Sequence, residues 1–184
     1  MNKTIRITLL LMVTIAGMVG VGYLFHTGPQ AQEETWDDRN LRQPVPPITV
    51  SYEDFGDATK AAIKLWNNVQ SDLFVMSVPS EAVVRVLSDN GTPCGDPWRP
   101  HDEEGHSGLA YQCPDGTWEI HVTKPGDSHM QYCIISHELG HVLGLADDPP
   151  GKRVMNQGCA EHVLVSDKDA AAVKERYKDD GGAQ

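Results

Sequence analysis

The chain has 184 residues, which is enough for one domain with a hydrophobic core. Its formal net charge at pH 7 is −11, and Lys3 and Arg6 are the only charged residues among residues 1–32, so the rest of the chain carries 13 basic and 26 acidic residues. An acidic surface of this kind repels nucleic acid and anionic lipid headgroups, and this excludes nucleic-acid binding from the expected functions.

Residues 1–32 are predicted to be a signal peptide or an N-terminal membrane anchor. Lys3 and Arg6 precede an uncharged stretch at 7–25, and Ala31 is a candidate for the small residue before a cleavage site. The uncharged stretch is also long enough to span a bilayer. In both cases the positive N-terminal flank predicts that the remaining chain lies outside the cell. We therefore expect a secreted or extracellular membrane-anchored protein that contacts a membrane only through this segment.

The folded domain is predicted to cover residues 47–178, between a linker or short pro-segment at 33–46 and a disordered tail at 179–184. Alternating or β-branched runs predict strands in this domain, and apolar residues at helical spacing predict helices. The predicted elements, in chain order, are a strand at 48–52, a helix from Asp57 to about Val69 with Trp66 on its core face, a strand at 82–87, a long loop at 89–117, a strand at 118–123, a helix from Ser128 or Met130 to Leu145, and a last helix capped by Ser166.

All four cysteines follow the export segment, and their even number in an oxidising compartment predicts two disulfide bonds. Three pairings are possible. We favour Cys94–Cys113, which bridges a Gly- and Pro-rich loop, and Cys133–Cys159, which ties the start of a helix to the segment behind it. A cysteine zinc site is disfavoured because the sequence contains no C-x-x-C pair.

A metal-binding motif lies in the helix that ends near Leu145. His137 and His141 are four residues apart, so both imidazoles project from one face and can reach one zinc ion at about 2.0–2.1 Å. The helix is otherwise apolar, and two histidines with a carboxylate would be costly there without a partner. Glu138 is placed to take a proton from a zinc-bound water, whose pKa zinc lowers to about 7, and to pass it to a leaving amine.

Asp147 is the favoured third metal ligand. Gly144 comes three residues after His141, where a glycine lets a helix end and the chain turn sharply. Asp147 comes three residues later, where the turned chain would return its carboxylate to the metal. The sequence thus predicts His137, His141 and Asp147 as zinc ligands.

The stretch His137-Glu138-x-x-His141-x-x-Gly144-x-x-Asp147 resembles the extended zinc motif of the metzincin proteases. Most metzincins have a His in the last position, and an Asp there is similar to the snapalysins, a family of small neutral proteases. The run His-Glu-Leu-Gly-His-Val-Leu-Gly-Leu is also similar to the matrixins, although their third His is missing here.

Two segments further along extend the resemblance. Val154-Met155-Asn156 resembles the metzincin turn that places a methionine beneath the metal, and Ser166-Asp167-x-Asp169 is similar to the start of the closing helix of matrixins. The resemblance implies an α+β domain with a twisted, mostly parallel sheet, a backing helix, an active-site helix and a C-terminal helix. It also implies endopeptidase activity with one catalytic zinc ion, and often bound calcium.

Other residues are potential metal ligands as well. Glu161 lies 24 residues after His137, a spacing similar to that of the third ligand in thermolysin-like enzymes, but it follows a loop-like Gly158-Cys159. His162 and Asp148 are weaker competitors. An acidic cluster in the long loop could bind a second zinc or a calcium ion, although such clusters are more often simply solvated; it comprises His101, Asp102, Glu103, Glu104 and His106.

We therefore expect an extracellular zinc metalloendopeptidase that acts as a monomer on protein or peptide substrates, with Glu138 as the general base. Two alternatives stay open. The first is a non-catalytic binding protein that keeps the zinc fold, which the loss of Glu138 or of a ligand would have signalled. The second is a zinc hydrolase that acts on cell-wall material, which shares the same local chemistry.

Overall fold

A five-stranded sheet packed against helices forms the part of the chain that the computed structural model describes, namely residues 41–88, 93–95, 107–123, 126–149, 151, 153–156 and 163–178. These residues contain five strands and three α-helices. The strands are β1 (Ile48–Tyr52), β2 (Phe74–Met76), β3 (Val84–Ser88), β4 (Gly108–Gln112) and β5 (Trp118–Val122), and the helices are α1 (Gly56–Asn67), α2 (Ser128–Val142) and α3 (Asp167–Arg176). The predicted signal or anchor, most of the predicted linker and the predicted tail lie outside the described residues.

The sheet has the order β2-β1-β3-β5-β4. The pairs β1/β2, β1/β3 and β3/β5 are parallel, and β4 alone runs antiparallel, against β5. A short turn joins β4 to β5, and such a turn allows only an antiparallel pair, whereas parallel neighbours need the longer crossovers found elsewhere in the chain. The sheet confirms the prediction of an α+β fold with mostly parallel strands.

Two strands lie where the sequence predicts none. β2 has only three residues, too few to show an alternation. β4 falls inside the stretch 89–117, so the prediction of a continuous loop there is wrong for residues 108–112. Many turn-forming residues flank β4, so the local sequence does not indicate a strand there. The strand is defined by its pairing with β5 in the folded chain.

The core lies between one face of the sheet and helices α1 and α2. Trp66 of α1 is fully buried, and its indole Nε1 donates a hydrogen bond of 2.9 Å to the Ser136 carbonyl of α2. Trp118 and Ile120 of β5 and Leu139 of α2 are also fully buried in this core. The indole therefore fixes the helix that carries the metal-binding motif against the helix behind it.

The opposite face of the sheet carries a polar cluster and a disulfide bond. Cys94 and Cys113 are joined, as predicted, with their Cα atoms 5.4 Å apart. Glu119 is buried beside this bond and accepts hydrogen bonds from Arg85 at 2.6 Å and from His121 at 3.0 Å. Burial raises the pKa of Glu119, but the Cys94 amide, His121 and Arg85 together hold it below its ordinary value. The cluster thus binds the disulfide-closed loop to the sheet.

The second predicted disulfide is described on one side only. Cys133 is disulfide-bonded, whereas its predicted partner Cys159 lies outside the described residues.

None of the helices in the described part of the chain has the length and apolar character that a membrane span requires.

Candidate metal centre

Helix α2 presents the predicted motif on one turn near its C-terminal end. The helix begins after Asp127, whose side chain accepts a hydrogen bond of 2.9 Å from the Met130 amide. This cap satisfies one of the amides that the first turn of a helix leaves unpaired. His137 and His141 are four residues apart, so their rings lie on one face, with centroids 4.7 Å apart. The Nε2 atoms of the two rings are 3.1 Å apart.

Gly144 ends α2 and reverses the chain. Its φ angle is +88°, a left-handed conformation that favours glycine. The Leu145 amide donates to the Gly140 carbonyl at 3.0 Å, and the Gly144 amide donates to the His141 carbonyl at 2.9 Å. These two bonds are the pair that closes a helix with a left-handed glycine after its cap. The turn sends the following residues back towards the histidine rings.

Asp147 completes a cluster of three potential ligand atoms. Its Oδ1 lies 3.1 Å from His137 Nε2 and 3.4 Å from His141 Nε2. Ligands that surround a zinc ion tetrahedrally at about 2.0–2.1 Å are about 3.3–3.4 Å from one another. The three separations of 3.1, 3.1 and 3.4 Å are close to this requirement. The residues favoured by the sequence are therefore brought together with spacings that fit a single small cation.

The hydrogen bonds behind the two histidines orient their rings for this role. His137 Nδ1 lies 2.8 Å from the Val154 carbonyl, and His141 Nδ1 lies 2.8 Å from the Leu145 carbonyl. A carbonyl can only accept, so each Nδ1 carries the proton and each neutral ring has its lone pair on Nε2. These two lone pairs and the carboxylate oxygen of Asp147 face one another and repel unless a cation or a proton lies between them. Backbone carbonyls on the distal nitrogens are the usual outer support of metal-bound histidines.

The electrostatics of the cluster show the same need for positive charge. Burial lowers the pKa of His137, but the hydrogen bond that its ring donates to Asp147 and the charge of Glu138 outweigh it and raise that pKa to about 9. The hydrogen bonds from His137 and His141 hold the pKa of Asp147 well below its ordinary value. Without a metal, the site at pH 7 therefore keeps one proton on His137 beside an ionised Asp147.

Metal binding is accordingly expected to release about one proton per chain at pH 7, because a metal ligand must be deprotonated. The His137 pKa of about 9 lies above its ordinary value of 6.5, so the metal-free ring is almost fully protonated at pH 7 and loses its proton as the pH rises through 9. Calorimetric titration with zinc in buffers of different ionisation enthalpy measures this number. The contribution of His137 should disappear above pH 9, where a zinc-bound water still loses its own proton, so the total release should be smaller at pH 10 than at pH 7. A release that does not fall between these two pH values would contradict the assignment.

Glu138 lies next to the first histidine and is buried, with 5% of its surface exposed. The edge strand β4 passes directly over it. A Cβ atom at Gly108 would lie 3.0 Å from Glu138 Oε1 and 2.3 Å from Ile134 Cγ2. Only a glycine lets the strand approach the helix this closely, so Gly108 takes part in the site, although the sequence showed it only as one turn-forming residue among many.

Met155 lies beneath the cluster, against the turn of α2 that separates the two histidines. It is fully buried, and a Cβ atom at Gly140 would lie 2.2 Å from Met155 Sδ and 3.1 Å from Trp66 Cζ2. The same loop provides the Val154 carbonyl that orients His137. The loop at 153–156 therefore supports the cluster of potential ligands from below, at the position where the sequence predicts a methionine turn.

Replacing Gly140 by alanine is expected to destabilise the fold by about 1–3 kcal/mol, as overpacked cores do. The added methyl group has no room between Met155 and Trp66, although alanine itself is the better helix former. Urea unfolding of the metal-free domain measures the change. In the double variant with Met155→Ala, the methyl group has room, so the loss of stability should be smaller than the sum of the losses in the two single variants. Additive losses would contradict the proposed contact.

The competing ligands do not join this cluster in the described structure. Asp148 directs its Oδ1 to Lys168 Nζ of α3, at 3.5 Å, and pairs its backbone with the loop of Met155. Glu161, His162 and the acidic cluster at 101–106 lie outside the described residues. Among the described residues, the other grouping of potential ligands is Cys94, Cys113 and Glu119, but the disulfide bond occupies both sulfur atoms.

His121 and Tyr111 belong to the far side of the sheet. His121 is 3% exposed and hydrogen-bonded to Glu119, so it is a buried member of the polar cluster there. The ring of Tyr111 meets that of His121 edge-on, with centroids 5.7 Å apart. Neither residue therefore faces the histidine cluster.

Comparisons with known proteins add no relative to this description: no protein-family model matches the chain, and no curated protein matches it. The interpretation of the site therefore depends on its own geometry and chemistry.

Proposed function

We propose that this chain is an extracellular zinc-dependent endopeptidase of the metzincin type, similar to the snapalysins in using an aspartate as third ligand. The observation that carries the proposal is the convergence of His137 Nε2, His141 Nε2 and Asp147 Oδ1 within 3.4 Å of one another, with both distal histidine nitrogens bonded to backbone carbonyls. Three protein ligands leave a fourth position of a tetrahedral ion open, which is the arrangement of catalytic zinc sites.

Each residue of the site then has a defined role. His137, His141 and Asp147 would hold the zinc ion, which supplies Lewis acidity: it polarises a carbonyl oxygen and acidifies a water molecule. Glu138 accepts a proton from the attacking water and donates it to the leaving amine. Its burial between α2 and β4 limits the positions that its carboxylate can take, so the proton acceptor is held in place before the substrate binds.

The edge of the sheet supports a peptide as the substrate. Hydrogen bonds from Cys113 N to Thr117 O and from Thr123 N to Ser107 O show which residues of β4 and β5 form the hydrogen-bonded pairs of the ladder. Because hydrogen-bonded pairs alternate along an antiparallel ladder, the backbone groups of Gly108 and Ala110 point away from β5. An extended peptide could pair with this edge by strand addition, and Gly108 would then bring its backbone close to Glu138.

The test is zinc content together with casein hydrolysis by the purified domain from about residue 33. One zinc per chain, with proteolysis that is lost on chelation and restored by added zinc, is the expected result. Bound zinc without proteolysis, but with hydrolysis of cell-wall polymer, would favour the cell-wall alternative. Bound zinc with no hydrolysis of either substrate would favour a binding role, and absence of bound zinc would contradict the central proposal.

A further inference from the structure

The short segment that precedes β1 is bound to the edge strand next to the site. Residues 41–43, here called the strap, begin with Leu41, which packs against the hydrophobic core. The Arg42 amide donates to Gln112 Oε1 at 3.0 Å, and Gln112 Nε2 donates back to the Arg42 carbonyl. Two hydrogen bonds therefore attach the strap to the end of β4.

The other end of the strap lies over the turn that ends α2. A Cβ atom at Gly144 would lie 3.1 Å from Gln43 Cδ and 2.5 Å from Arg176 Nη1. Gln43 is held in this position by a hydrogen bond of 3.2 Å from its Nε2 to the Leu41 carbonyl. The side chains of Gln43 and Arg176 thus cover the backbone of the Gly144 turn, and the strap connects β4 to that turn.

The Gly144 turn sets the position of two parts of the metal centre. The Leu145 carbonyl, one residue after the turn, accepts the hydrogen bond from His141 Nδ1 at 2.8 Å. Three residues after Gly144 the chain reaches Asp147, whose carboxylate lies beside both Nε2 atoms. A displacement of the turn would therefore rotate the His141 ring and move the Asp147 carboxylate.

We propose that Gln43 is a positioning residue of the metal centre and that the strap, which the sequence placed in a linker or pro-segment, forms part of the functional domain. This inference rests on the metal centre proposed above. The strap acts through the Gly144 turn and touches none of the three ligands. Loss of the outer support of a metal ligand reduces metal affinity by about 10–100-fold, and the lower end of that range is expected when Gln43 is truncated.

The test compares three substitutions in the full-length chain. Gln43→Ala removes the contact with the turn, and Gln43→Met keeps a side chain of similar length over Gly144. Gln131→Ala is the matched control: Gln131 Nε2 donates to the Gly126 carbonyl at 3.4 Å, so its loss removes one side-chain hydrogen bond at the end of α2 opposite to the turn. Hydrogen exchange of the Gly144 and Leu145 amides is measured in metal-free protein, and zinc affinity is measured by competition with a chelator.

Gln43→Ala is expected to speed exchange of these two amides by about two- to tenfold, because a turn that loses its covering side chain opens locally at a lower cost in free energy, and to weaken zinc binding about tenfold. Gln43→Met and Gln131→Ala should stay near the wild-type values for both measurements. Unchanged amide exchange in Gln43→Ala, unchanged zinc affinity, or equal effects of Gln131→Ala would each overturn the positioning role. If the wild-type chain binds no zinc while Gln43→Ala still speeds exchange, the contact with the turn stands and the proposed function fails.

Discussion

Glu138→Gln is expected to leave zinc bound and to reduce peptide hydrolysis by about 10²–10⁴-fold, the usual contribution of a positioned general base. Glutamine has the same shape, so it fits the space between α2 and β4 that Gly108 leaves for Glu138. Its amide cannot accept the proton from the attacking water. The three proposed ligands are untouched, so zinc content should stay at one per chain while the turnover number falls.

Glu119→Gln is the matched control for this substitution. Glu119 is also 5% exposed, but it lies on the opposite face of the sheet, bonded to Arg85 and His121. Its replacement should lower stability, because Arg85 loses an ionised partner, and should leave the turnover number near that of the wild type. Zinc loss in Glu138→Gln, or activity that survives in it, would show that Glu138 is not the proton acceptor.

The main part of the site could be predicted because it depends on local spacing. Helical periodicity places His137 and His141 on one face, whatever the rest of the fold does. The glycine at 144 signals a helix end, and the observed φ of +88° agrees with that signal. The approach of Asp147 follows from these two local features, so the predicted trio and the observed trio coincide without any knowledge of the sheet.

The remaining parts of the site depend on contacts between distant segments, which spacing does not encode. Gly108 is one of many glycines in a turn-rich stretch, and its closeness to Glu138 follows only from the pairing of β4 with β5. Gln43 lies in a segment that looks like a linker, yet it covers a turn 101 residues further along the chain. Such contacts form only in the folded chain, so no local motif encodes them.

Asp147→Ala is expected to weaken zinc binding by more than about 100-fold, beyond the 10–100-fold that loss of an outer-shell partner produces. The substitution removes one of three proposed ligands and leaves two histidines that cannot neutralise the ion. It should also lower the pKa of His137 in the metal-free protein, because the hydrogen bond that His137 donates to Asp147 is the largest of the effects that raise it. Zinc affinity by chelator competition and the His137 titration by NMR measure the two effects.

Two other carboxylates test whether the effect is specific to Asp147. Asp148→Ala removes the next side chain, which pairs with Lys168 and not with the histidines, so it should change stability more than zinc affinity. Glu161→Ala removes the ligand expected under the alternative spacing. Zinc affinity that falls more in Glu161→Ala than in Asp147→Ala would reverse the ligand assignment and with it the likeness to the metzincins. A loss confined to Asp147→Ala would instead leave the two histidines and this aspartate as the metal-binding set.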